Sequence, residues 1–301
     1  MMAPHPQTAG GLRGDLRRDE SMARHTTWRV GGPADRFYRP ADLEDLAAFL
    51  AGLPPGEEIH WLGLGSNLLV RDGGIRGTVI AASPGLDRIE RVGVARLRAE
   101  AGVAGPKLAR VAVREGLLGA EFLAGIPGTV GGALAMNAGA FGSETWERVV
   151  AVETIDRAGT LRRRGPEDFR VGYRSVRGPA GEWFVAGIFQ LEPGDPVAGR
   201  RRIKALLDRR AMGQPVGLAN AGSVFRNPPG DHAARLIEAA GLKGRCLGRA
   251  CVSERHANFI INTGGARAAD VEGLIRLVQE AVARVHGVRL EPEVRILGEA
   301  P

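Results

Sequence analysis

The chain has 301 residues, 44% of them hydrophobic and 25% charged, which is long enough for two or three domains and too apolar for a disordered chain. No apolar run approaches the roughly 20 residues of a membrane-spanning helix, and the opening MMAPHPQTAGGLRGDLRRDE lacks an apolar h-region, so neither membrane insertion nor secretion is expected. The net charge of +7 comes almost wholly from dispersed arginines, with Lys107, Lys204 and Lys243 the only lysines; this excludes a nucleic-acid stripe and favours anionic small molecules such as nucleotide diphosphates.

Residues 1–10 read as a loose tail. Asp42 is placed to cap an amphipathic helix through Leu50, and Ile59–Leu64 reads as a strand. A Gly-Ser-Asn turn leads to the apolar run Leu68–Val70, and Asp72-Gly73-Gly74 turns the chain again before strand Thr78–Ala81. Arg96–Val103 alternates as a strand, and Pro106 opens a helix over Lys107–Glu115 that Gly116 stops. After a glycine-dense stretch come strands at Val149–Ile155, Thr160–Arg164 and Trp183–Leu191, then a helix over Arg200–Met212. Asp231 is expected to cap a helix through Ala240, and Ala257–Asn262 to form a strand. The long helix Asp270–His286 carries Val271, Leu274, Ile275, Val278, Val282 and Val285 on one stripe. In the last strand, Val288–Leu297, Val288, Leu290, Val294 and Ile296 face one side, and Pro292 marks an edge or an opening in the ladder. Cys246 and Cys251 lack zinc-ligand spacing and are expected as free thiols in a reducing cytosol.

Two loops and one serine carry the chemistry. Gly63-Leu64-Gly65-Ser66-Asn67-Leu68 begins like a dinucleotide fingerprint, but Leu68 replaces the third glycine and a strand follows where a helix is required. It remains suited to phosphate, because small residues let backbone N–H groups converge on an anion and Ser66 and Asn67 add donors. Residues 125–142 hold six glycines and almost no charge, a density that calls for close approach of backbone to a flat or anionic ligand. One dinucleotide lying along both loops accounts for them together. Ser223, in Ala221-Gly222-Ser223-Val224-Phe225-Arg226-Asn227-Pro228, has no histidine or lysine within ten residues on its N-terminal side, so it reads as a proton donor or a hydrogen-bonding group as well as it reads as a nucleophile.

Seven segments in order resemble a known family: His25–Asp35, Gly63–Val70, Gly125–Gly132, Gly172–Ser175, Ala221–Pro228, His256–Asn262 and Glu291–Arg295. Together they are similar to UDP-N-acetylenolpyruvoylglucosamine reductases, the flavoenzymes of peptidoglycan precursor synthesis, over roughly residues 12–299. The resemblance implies an α+β fold: a two-subdomain FAD-binding unit of the vanillyl-alcohol-oxidase (PCMH) type, then an α+β substrate-binding domain. The boundaries placed on it are a tail over 1–19, FAD-binding subdomains over 20–84 and 85–196, and the substrate domain over 197–301. The short gap between Arg174 and Ser223 resembles the subclass without a tyrosine-bearing loop over the substrate.

By that resemblance NADPH delivers hydride to non-covalently bound FAD, and the flavin reduces the enolpyruvyl ether of a UDP-sugar to a lactyl ether. A cytoplasmic enzyme acting on small molecules is implied. Ser223 matches the family's proton donor, Arg174 its site arginine and Glu293 its site glutamate; Glu291 shares a strand face with Glu293, and only the family match separates them. Cofactor-binding positions implied are Gly63, Gly65, Ser66, Asn67, Leu68, Gly125, Pro127, Gly128, Thr129, Gly131, Gly132 and Asn137. Tyr173, Arg210, Asn227 and His256 are implied for substrate. The chain departs from the pattern at Tyr173-Arg174-Ser175-Val176, which lacks the spacer the family carries between its arginine and serine.

Overall fold

A computed structural model describes residues 11–301, so the tail expected over 1–10 lies outside the described residues. The first unit is a four-stranded sheet in the order Asp15–Ser21, Pro33–Arg39, Ile75–Ala81, Ile59–Leu62. Its first pair is antiparallel and the others are parallel. Parallel neighbours need a crossover, and helix α1 (Leu43–Ala51) supplies it, with Asp42 accepting from the Asp45 N–H at 2.9 Å as its cap. The chain therefore joins the sheet from Asp15, inside the segment set aside as a tail.

The second unit is a five-stranded antiparallel sheet in the order Leu161–Arg164, Val149–Asp156, Glu182–Gln190, Arg96–Glu100, Ile89–Arg91. Helices α2 (Gly105–Arg114) and α3 (Val130–Met136) close its core around Leu97, Leu108, Val113, Leu134, Val152 and Phe189. Pro106 sits in the first turn of α2 and Gly116, at φ 71°, follows its end, in keeping with their expected roles. A further core of Tyr38, Leu50, Ile80, Ala101, Ile155 and Val185 joins the two sheets.

The third unit holds α4 (Pro196–Gly213), α5 (Ala233–Ala239), a small antiparallel sheet of Cys246–Leu247, Ala250–Val252 and Ile260–Asn262, and α6 (Ala268–His286). Five residues of the α6 stripe are buried, but Val285 is 53% exposed because the last turn runs past the core. Asp231 does not cap α5; it pairs with Arg235, and Asn227 Oδ1 accepts from the Ala233 N–H at 3.0 Å. The last strand is shorter than expected, Arg295–Leu297, and Pro292 makes only an isolated bridge to Phe225. The cysteines are joined as a disulfide, contrary to the expectation of free thiols, because a tight hairpin sets Cys246 directly opposite Cys251.

Long-range pairing interleaves the third unit with the first. Arg295–Leu297 pairs in parallel with Leu68–Val70, and Trp28 is buried in the third unit's core with its indole N–H on the Ile260 carbonyl at 2.8 Å. Asp72 accepts from the N–H groups of both Ala268 and Ala269 at 2.9 Å, capping α6 from 196 residues away in the chain. Among the described residues no helix is long and apolar enough to cross a membrane, and no His/Cys/Asp/Glu group is arranged to hold a metal.

Candidate active site

A cleft of about 460 Å³ opens where the three units meet. Gly63–Leu68 forms one wall, Gly125–Thr129 with Gly132 another, and Ser223, Arg174, Glu293 and Arg210 the third. An adjoining cavity of about 260 Å³ shares Trp61, Gly63, Thr129, Gly132 and Trp183 with it, so the two form one groove.

Backbone pairing brings Ser223 and Glu293 to this groove from 70 residues apart. The Glu293 N–H donates to the Val224 carbonyl at 2.7 Å and the Arg226 N–H to the Glu291 carbonyl at 2.9 Å. Asn258, 4% exposed, clamps the same segment: its Oδ1 accepts from the Phe225 N–H at 2.9 Å and its Nδ2 donates to the Phe225 carbonyl at 2.8 Å. Asn258 lies in one of the motifs read from sequence, but only the fold reveals that it braces the serine segment.

Arg174 occupies the two-residue turn of the hairpin Arg170–Gly172/Ser175–Arg177, at φ 52°. Its Nε donates to Glu293 Oε1 at 3.0 Å, its Nη1 to the Asn137 carbonyl at 3.3 Å and its Nη2 to the Gly139 carbonyl at 2.8 Å. The missing spacer residue thus falls in the hairpin, with Ser175 paired opposite Gly172, and Arg174 still reaches the cleft. Burial pushes the Glu293 carboxyl above its ordinary range, and the facing guanidinium of Arg174 opposes that without cancelling it. Its carboxylate is consequently held in its charged form less firmly than a surface glutamate would be. Burial alone lowers the Arg210 value, and Arg210 Nε donates to Gln214 Oε1 at 3.1 Å on the lip of the cleft.

The residues fit a dinucleotide with a flat ring system. Among the described residues, none of the backbone N–H groups of Leu64, Gly65, Ser66, Asn67, Gly128 and Thr129 donates to a backbone carbonyl, so they remain free for an anionic ligand. A Cβ built on Gly132 meets nothing nearer than Thr129 Oγ1 at 3.8 Å, so the missing side chain leaves open space in the cleft. The side-chain donors expected for phosphate have protein partners: Ser66 Oγ donates to the Pro127 carbonyl and Asn67 Nδ2 to the Glu293 carbonyl at 3.1 Å. They tie the glycine loops to each other and to the glutamate strand.

Five expected site residues do not line the cleft. Gly131 packs on Ala101, where an added Cβ would lie 2.9 Å from the Ala101 Cβ, and it faces the adjoining cavity. Asn137 is 2% exposed and its side chain is committed to protein partners. Tyr173 is 49% exposed, its ring under the Arg174 guanidinium at 5.0 Å. Asn227 caps α5. His256 packs edge-on against Phe259, a cleft residue, at 4.8 Å, and burial lowers its pKa. Among the cleft residues to which the sequence reading gave no site role are Trp61, Trp183, Gln214, Phe259 and Arg295. Gln214 could have been found from its i,i+4 spacing to Arg210, whereas Trp61 and Trp183 stack at 5.6 Å from two different sheets.

Residues 34–165 match the model of an FAD binding domain, and residues 214–297 match the C-terminal domain of UDP-N-acetylenolpyruvoylglucosamine reductase. The chain is 67% identical to the UDP-N-acetylenolpyruvoylglucosamine reductase of Alkalilimnicola ehrlichii, over 95% of this chain and 96% of that one. It is 60% identical to the enzyme of the same name from Methylococcus capsulatus, over 98% and 97%. The crystal structure of the Thermus caldophilus reductase superposes with a TM-score of 0.82 at 35% identity, covering 96% of this chain and 100% of that one. With relatives this similar along almost its whole length, the chain belongs to the UDP-N-acetylenolpyruvoylglucosamine reductase family.

Proposed function

We propose that this protein is the FAD-dependent oxidoreductase that reduces UDP-N-acetylglucosamine enolpyruvate to UDP-N-acetylmuramate for peptidoglycan precursor synthesis, with NADPH as hydride donor. The observation that carries the reading is the meeting of Ser223, Arg174 and Glu293 in the cleft whose other walls are the two glycine loops. Family membership supplies the reaction, and the FAD-binding match supplies the cofactor. Bound FAD provides hydride transfer to the enol carbon.

Gly63–Leu68, Gly125–Thr129 and Gly132 hold the cofactor through backbone groups. The absence of His and Cys over Gly63–Asp72 disfavours a covalent tether in that loop and supports non-covalent binding. Arg174 pairs with the substrate carboxylate and holds the negative charge that spreads onto it as the double bond is reduced. Ser223 donates a proton to the neighbouring carbon, a task for a hydroxyl with no base beside it, because the acceptor is a strongly basic carbanion-like centre. Glu293, held in its charged form less firmly than usual, relays a proton or polarises the enol ether, and Arg210 at the lip meets the diphosphate. The small-molecule substrate supports a cytoplasmic location, and the dispersed arginines speak against a nucleic-acid partner.

The deciding experiment starts with the visible spectrum of the purified protein. A yellow protein, or a colourless one that FAD reconstitutes, is expected, with NADPH oxidation that needs the enolpyruvyl UDP-sugar for fast turnover. Failure to bind FAD would sink the reading, and rapid oxidation by oxygen alone would replace it with a flavin oxidase.

A further inference from the structure

Arg174 reaches the cleft on a hairpin whose return strand packs on the second unit's core through Val176, while Arg226 Nη2 donates to the Arg174 carbonyl at 3.2 Å. The hairpin forms a two-stranded sheet of its own, three residues to a strand, and Arg170, Val171 and Gly172 are exposed. A ribbon this short adds little stability of its own, and a non-glycine turn residue at φ 52° adds strain. The exposed first strand and the guanidinium itself depend on further contacts from neighbouring segments.

Asn137 meets that need. Its Nδ2 donates to the Gly172 carbonyl at 3.2 Å and to Glu144 Oε2 at 2.7 Å, while its Oδ1 accepts from the Trp146 N–H at 3.1 Å. Its own carbonyl takes Arg174 Nη1 at 3.3 Å, and Glu144 Oε1 lies 3.7 Å from the same Nη1. One side chain, 2% exposed, thus joins the end of α3, the Glu144–Trp146 segment and the hairpin around the guanidinium. Asparagine suits the place twice over. It tolerates the left-handed backbone at φ 44° and ψ 54°, and its amide offers two donors and an acceptor at once.

We infer that Asn137 is a positioning residue for substrate reduction: it fixes Arg174 at the cleft, with Glu144 as the second contact, and does not bind the cofactor. The inference rests on the reading of Arg174 given above. Asn137→Asp keeps the acceptor and the turn but removes both donors and sets a carboxylate against Glu144. The holoenzyme variant is expected to keep its flavin content and spectrum, to be reduced by NADPH at near the normal rate, and to reoxidise with substrate about 10-fold or more slowly, the scale of a misplaced catalytic group.

The double variant N137D/R174A should reoxidise no more slowly than R174A alone, since Asn137 acts through Arg174. Losses that multiply across the two sites would overturn the inference, as would weakened FAD binding by the apoprotein with normal reoxidation. Should N137D fail to fold, Glu144→Gln serves instead. It leaves Asn137 an acceptor, removes the charge beside Arg174, and should slow reoxidation in the wild-type but not the R174A background; normal rates in E144Q would count against the inference. A wild-type rate for R174A itself would refute the proposed role of Arg174. In that case the positioning is read from the Arg174 Nε–H NMR signal, which must shift or broaden in N137D or E144Q; an unchanged signal overturns it.

Discussion

Gly131 and Gly132 are neighbours in the first turn of α3, yet alanine should act on them in opposite ways. A Cβ at Gly132 points into open cleft, 3.8 Å from its nearest neighbour, Thr129 Oγ1. In the apoprotein Gly132→Ala should therefore raise stability by about 0.5 kcal/mol, the backbone-entropy difference between the residues in a helix. With FAD against that turn, the added methyl must be accommodated at an overpacking cost of about 1–3 kcal/mol, or roughly 5- to 150-fold in dissociation constant. Gly131→Ala would drive a Cβ to 2.9 Å from the Ala101 Cβ and 3.1 Å from its carbonyl oxygen, so it should lower apoprotein stability by about 1–3 kcal/mol instead. Urea unfolding of the apoproteins and FAD titration by flavin fluorescence measure both quantities. If Gly132→Ala binds FAD within about 2-fold of wild type, the cofactor does not lie against α3 and the assignment of this wall is wrong.

Ser223→Ala is expected to keep the reduction of FAD by NADPH but to slow substrate reduction by about 10²- to 10⁴-fold in single-turnover kinetics; near-normal turnover would remove Ser223 as proton donor. Glu293 has a folded-state pKa above its unfolded value of 4.5, so the folded protein binds the extra proton between those values and loses stability as pH rises through that window. Glu293→Gln should accordingly be inactive yet more stable than wild type at neutral pH, with the advantage disappearing below about pH 4.5; a pH-independent difference in unfolding free energy would contradict the burial argument. Asp72→Ala removes two charge-assisted bonds at the start of α6 and should cost about 1–2 kcal/mol in urea unfolding. A cost near zero would mean that solvent caps the helix equally well.

Local rules explain most elements. Asp42 caps α1, Pro106 opens α2, and the α6 stripe buries Val271, Leu274, Ile275, Val278 and Val282, because caps, ring constraints and a 3.6-residue period act within a few residues. The expectations that differed involve partners distant in the chain or direct competition between neighbours. Asn227 displaced Asp231 as the cap of α5, Arg235 having engaged the aspartate. The Cys246–Cys251 bond follows from a hairpin register that five-residue spacing leaves undefined. Asn137 and Asn227 sit in or beside site motifs, yet their side chains are engaged by protein partners, while Tyr173 is exposed and His256 lies behind Phe259; a motif does not encode where a side chain points.

From the sequence alone came the class of chemistry: glycine-dense loops for a dinucleotide, a serine without a base, an arginine and a carboxylate placed by family resemblance. Convergence was decided by tertiary structure. Ser223 and Glu293 reach one cleft because the Glu293 N–H pairs with the Val224 carbonyl, and Arg174 joins them there with its guanidinium on Glu293, Asn137 and Gly139. The units cut in order along the chain are interleaved in space, with Trp28 in the last core and Arg295–Leu297 beside Leu68–Val70. Sheet pairing and burial join whichever segments complement one another, whatever their separation in sequence, and that is why the motifs were legible one by one while their arrangement, and which of their side chains face the cleft, was not.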